Sequence, residues 1–170
     1  MKNLLFILLI LFMNPLQSQD FVIPTFLEKW ENSKSYLVSI AEAMPSEKYD
    51  FKPTERQKGF QDQLLHIKRN MDWLSSTYFG RQLSDKGSGN NSKLTKEETI
   101  KLLVNAFDGV SAILKNLPPE ALSENVEFFA GEKTKLQILN LLQDHVTHHR
   151  GQLIVYLNLN NIEPPTYVGW

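Results

Sequence analysis

Phe60, Leu64, Ile67, Met71, Leu74 and Tyr78 recur at alternating intervals of four and three. That spacing keeps one face of an α-helix apolar and does not suit the two-residue period of a strand. Three further segments are amphipathic in the same way, and each carries start or stop chemistry. The first opens at Ile23-Pro24, where proline suits a first helical turn, and runs to about Ala43 before Met44-Pro45 ends it. The striped segment runs from about Phe60 to Tyr78 and is stopped by Gly80. Thr95-Lys96-Glu97-Glu98 is a capping box that opens a third helix, which ends before Pro118-Pro119. Thr134-Lys135-Leu136-Gln137 is a second capping box, opening the longest helix, to about Asn160, with Glu163-Pro164-Pro165 as its stop. No segment reads as a strand, so the fold class is all-α.

The connections narrow the architecture. Ser46 to Lys58 is polar and broken by Pro53, a compact connector with a turn of helix at most. Arg81 to Leu94 is rich in Gly, Ser, Asn and Lys. A connection that long need not join antiparallel neighbours and suits a crossover between helices 2 and 3. Four long helices with one crossover make a four-helix bundle, a single domain over residues 20–170.

The first nineteen residues read differently. Met1-Lys2-Asn3 is a weakly basic start, Leu4 to Met13 an almost unbroken apolar run, and Asn14-Pro15 breaks it before small Ser18. An apolar core of about ten residues is too short to span a membrane and matches a secretory signal peptide over residues 1–19. The alternative is an uncleaved anchor, because the cleavage site is not an ideal A-x-A. Export to the periplasm or the extracellular space follows, with no stable membrane insertion after cleavage. The chain has no cysteine. A lipoprotein, disulfides and thiolate metal sites are therefore excluded, and His, Asp and Glu must carry any metal chemistry. Eighteen basic residues against nineteen acidic ones leave no electrostatic footprint for nucleic acid.

Three of the four histidines lie in Asp144-His145-Val146-Thr147-His148-His149-Arg150-Gly151-Gln152. His145 and His149 stack on one helical face about 6 Å apart along the axis, close enough for two imidazoles to converge on one ion. Both fall within the stripe Ile138, Leu141, Leu142, His145, His149, Gln152, Leu153 and Tyr156. They are either a metal-binding pair or ordinary core or interface histidines, and spacing does not separate the two. His148 sits to one side and reads as a surface residue. His66 is off the centre of the Phe60–Tyr78 stripe, with Asp62, Asn70 and Trp73 on its own face. Periodicity makes it solvent-facing unless that helix is apolar on two sides, as Leu65 and Trp73 would allow.

Several stretches nonetheless resemble one family. Ala43-Met44-Pro45-Ser46-Glu47-Lys48-Tyr49-Asp50-Phe51-Lys52-Pro53-Thr54 is similar to the connector of DinB-like proteins, and Phe60-x-x-Gln63-Leu64-Leu65-His66 to their second-helix motif. His145-x-x-x-His149-Arg150-Gly151-Gln152 resembles their fourth-helix signature, and Asn161-Ile162-Glu163-Pro164-Pro165 their usual ending. The resemblance implies an up-down-down-up bundle holding one divalent ion (Zn, Ni or Fe) on His66, His145 and His149. Some relatives are thiol transferases or isomerases, and many have no assigned reaction. Where the family commonly has Glu, this chain has the shorter Asp62.

Three neutral histidines leave at least one coordination position open, which favours chemistry or exogenous-ligand binding over a purely structural role. Protons compete for each ring, so metal binding is expected to disappear near pH 5. Gln152 either orients a bound water or substrate or is a helix-packing residue. Asp62 either supports a ligand histidine or is a solvated charge near a helix N-terminus. Arg150 reads as a salt-bridge or interface residue, and Gly151 as a point of close helix approach. The functional expectation is a metal-dependent transferase or hydrolase acting on a small molecule. The alternative is a non-catalytic or stress-related metal-binding bundle of the envelope, and a homodimer is allowed in either case.

Overall fold

The computed structural model describes residues 21–83 and 94–168. The leader read at residues 1–19 and most of the crossover lie outside them. Four helices account for the described chain: α1 (Val22–Ala43), α2 (Phe60–Phe79), α3 (Lys96–Leu114) and α4 (Lys135–Leu159). Both capping boxes form. Thr95 accepts the Glu98 amide while Glu98 accepts the Thr95 amide, and Thr134 and Gln137 repeat the exchange at α4. Each satisfies two amide donors that a helix start otherwise leaves bare. Gly80 ends α2 in the left-handed conformation at φ 74°, which a side chain would strain. At the end of α4, Asn161 takes the same region, with Ile162 N–H bonded to Leu157 O and Asn161 N–H to Asn158 O. That is the Schellman arrangement. The connector after α1 holds one short 3₁₀ turn, Ser46–Lys48.

Pairwise contacts fix the direction of every helix. Trp30 packs on Phe107 at 4.6 Å, and Lys96 Nζ bonds Met44 O at the other end, so α1 and α3 are antiparallel. Gln61 bonds Thr99 and Arg81 bonds Asn105 O, so α2 and α3 run parallel. Phe60 meets Tyr156 and Trp73 meets Phe128, so α2 and α4 are antiparallel. Gln143 bonds Ser33 and Arg150 lies over Tyr36, so α1 and α4 are parallel. The result is an up-down-down-up four-helix bundle, with α2 and α3 parallel.

Phe60, Leu64, Ile67, Met71 and Leu74 are fully buried, as the stripe predicts, with Tyr78 at the margin. They join Trp30, Leu37, Ile40, Leu103, Phe107, Leu142 and Leu153 in one core. At about 1.5–3 kcal/mol per buried large side chain, this core should keep the bundle folded without an ion. Leu141 departs from the predicted stripe: it is 36% exposed. The expectation of no strand is also corrected. Asn125–Val126 and Lys133–Thr134 (β1 and β2) form a short antiparallel pair just before α4. Two-residue strands are too short to show a period, so no sequence pattern announces them.

Two residues of α4 differ from expectation. Arg150 forms no salt bridge among the described residues. It is buried, with its guanidinium 5.1 Å from the Tyr36 ring centre and Nη1 donating to Ser33 at 3.4 Å. Gly151 marks no close approach, because a Cβ built there meets nothing within 4 Å. A mid-helix glycine in open space only forfeits helix propensity. Gly151→Ala should therefore raise stability by about 0.5–1 kcal/mol in denaturant unfolding. A destabilised variant would reveal a neighbour at that face.

Candidate metal centre

The seam between α2 and α4 gathers three of the four histidines. His66 sits in the second turn of α2, where the face judged solvent-exposed from periodicity turns against α4. His145 and His149 meet it from the middle of α4. One ring nitrogen from each lies within 4.8 Å of the others, with ring centroids 4.4 to 4.9 Å apart. His145 Nε2 and His66 Nε2 are 3.1 Å apart. Two nitrogens sharing an ion at about 2.0–2.1 Å would be separated by roughly 3.0–3.4 Å.

Burial sets the charge state. It pushes His145 down to about 3, helped by the reluctance of His149 and His66 to share a site with a second positive charge. His149 is lowered to about 4 for the same reason, with Lys58 adding a smaller like-charge effect and Gln152 partly opposing it. His66 is lowered by burial and then by Lys58 and Arg69. The rings are thus neutral at physiological pH, the form that ligates. The Nδ1 atoms of His145 and His149 are buried without a hydrogen-bond partner. Buried imidazole nitrogens are costly in that state, and three converging neutral rings, two of them with such a nitrogen, could hold a metal ion.

The surrounding side chains divide. Gln152 is half-buried; its Oε1 accepts from Gln63 Nε2, and its Nε2 lies 2.9 Å from His148 Nε2. Gln63 also reaches Tyr156 Oη, which donates to Lys58 O at 2.9 Å. This polar chain runs along one side of the cluster and braces α2 against α4. Gln63 is the member that residue patterning did not single out, although it stands three residues before His66. Asp62 is exposed, with its carboxylate close to Gly59 at the start of α2, and no described hydrogen bond joins it to His66. A carboxylate in a first helical turn is favoured by the helix dipole. His148 is exposed and lies outside the cluster, edge-on to His149 at 4.8 Å. Lys58 is exposed at the opposite side of the site from Trp73 and forms no ion pair among the described residues.

Comparison with known proteins agrees with this architecture. Residues 13–169 match the DinB family. The uncharacterized protein YjoA of Bacillus subtilis is 26% identical over 136 residues, covering 75% of this chain and 84% of that protein. The crystal structure of this DinB-like YjoA superposes with a TM-score of 0.71 at 20% identity, over 86% of this chain and 99% of the other. A DinB-like protein from Bacillus cereus gives 0.73 at 15% identity, over 84% and 95%. At such identities the solved structures speak for the fold, while the family match spans almost the whole sequence. The chain belongs to the DinB family.

Proposed function

We propose that this protein is an exported, divalent-metal-dependent enzyme of the transferase or hydrolase type, acting on a small molecule through His66, His145 and His149. The observation that carries the proposal is the convergence of three neutral imidazoles with two orphaned nitrogens in a half-open seam. A bound divalent ion would supply a Lewis acid able to polarise a carbonyl or to lower the pKa of a bound water or thiol. The chain's own part is to hold three rings in one protonation state and to brace them through Gln63, Gln152 and Tyr156. Histidine ligation with no fourth protein ligand among the described residues leaves room for an exogenous one. Export rests on the apolar run Leu4 to Met13. Among the described residues, no helix is long and apolar enough to cross a membrane.

Co²⁺-loaded protein tests the open position. Its visible spectrum should change on addition of azide or a small thiol, because an added ligand alters cobalt coordination. A spectrum indifferent to both would remove the enzymatic reading and leave a metal-holding bundle of the envelope.

A further inference from the structure

The face of α2 that carries His66 continues towards the β-hairpin. Asn70 and Trp73 follow within about 40° of His66 around the axis, and about 6 and 10 Å further along it. Helical side chains lean towards the N-terminus, so the Trp73 indole leans back towards the histidines. There it meets the hairpin loop. Trp73 stacks on Phe128 at 6.0 Å and 25°, and on Phe129 at 6.4 Å and 26°. Phe128 and Phe129 touch at 4.3 Å, and Tyr78 closes the group against Phe128.

Two features separate this aromatic group from ordinary core. Phe129 is 85% exposed and Trp73 41%, so rings held in order by one another still present surface to solvent. Between the rings and the histidines, Asn70 Oδ1 is buried without a hydrogen-bond partner, an acceptor that a ligand donor would satisfy. At the other side of the site Lys58 supplies a cation with no ion-pair partner among the described residues.

We propose that the α2–α4 seam binds a small anion bearing a planar aromatic tail, its donor head at the three histidines and its tail on the Trp73–Phe128–Phe129 shelf. This rests on the reading of the histidines as a metal site. It goes further by naming the substrate class: an aryl-bearing acid or comparable anionic donor, long enough to follow α2 from His66 towards Trp73, an axial rise of about 10 Å.

The test compares two probes on Zn²⁺-loaded protein by calorimetry. Acetohydroxamate carries a metal-binding head alone, and 4-phenylbenzohydroxamate carries the same head on two rings. The two-ring probe should bind at least about tenfold tighter. Phe129→Ala and Trp73→Ala should each remove most of that gain, with zinc content and acetohydroxamate affinity unchanged. Phe129 is almost fully exposed, so its variant keeps the fold even if Trp73→Ala does not. Equal affinities for the two probes, or an unaltered two-ring affinity in Phe129→Ala, would overturn the shelf while leaving the metal site standing. Failure of zinc to bind at all would overturn both.

Discussion

His66→Ala should weaken divalent-metal binding as severely as His149→Ala, by at least about 100-fold, more than loss of an outer-shell partner usually costs. Each variant leaves two imidazoles where three converge within 4.8 Å, and two neutral ligands make a weak site. His148→Ala should leave binding nearly intact, because that ring is exposed and outside the cluster. Zinc titration of the three variants, with far-ultraviolet circular dichroism as a check on folding, reads the order directly. Intact binding in His66→Ala with loss in His148→Ala would mean that the wrong face of α4 has been assigned to the ion.

Without metal, the protein should lose stability as pH falls below about 6.5. An unfolded chain takes up protons at its histidines near that pH, whereas burial defers His149 to about 4 and His145 to about 3. Between those limits the unfolded state binds more protons. Stability is then complete above about 6.5 and declines towards pH 3, with a loss of about 2 kcal/mol by pH 4 once solvent screening of these part-exposed rings is allowed for. The same depression protects the ion. Ordinary histidines would release it near pH 5, as expected from the sequence; here the folded His145 and His149 rings are still neutral at that pH. The upward melting shift given by zinc, about 2.7 kcal/mol at a hundredfold excess over Kd, should therefore persist at pH 5 and fade towards pH 3–4. Melting curves of metal-free and zinc-loaded protein at pH 7, 5 and 4 decide the matter. Apo stability that is flat from pH 7 to 4, or a zinc effect already gone at pH 5, would contradict the buried, neutral rings.

The helices were legible in the sequence because their signals are local. Stripes of period 3.6, two capping boxes and the stops at Gly80 and Pro164 act within a few residues, and the boundaries follow them closely. The pairing of His145 with His149 was legible for the same reason, being fixed by one turn of helix. His66 was not. Its side chain faces solvent or partner according to which flank of α2 meets α4, and that is a tertiary fact that reached the sequence reading only through family resemblance. Gly151 failed in the same way, its small size implying a neighbour, and Arg150 kept only the interface half of its reading, with no salt bridge among the described residues. The bundle supplies instead the Tyr36 ring and open space. Phe128 and Phe129 gave no signal beyond adjacency, since their ring contacts depend on a hairpin too short to show a period.

The most direct test of the three-histidine site is the metal content of untagged protein, dialysed and then reloaded with Zn²⁺, Ni²⁺ or Fe²⁺, measured by elemental analysis. Three converging neutral ligands predict about one ion per chain. Less than about a tenth of an equivalent after reloading with each of the three ions would contradict a metal centre at His66, His145 and His149.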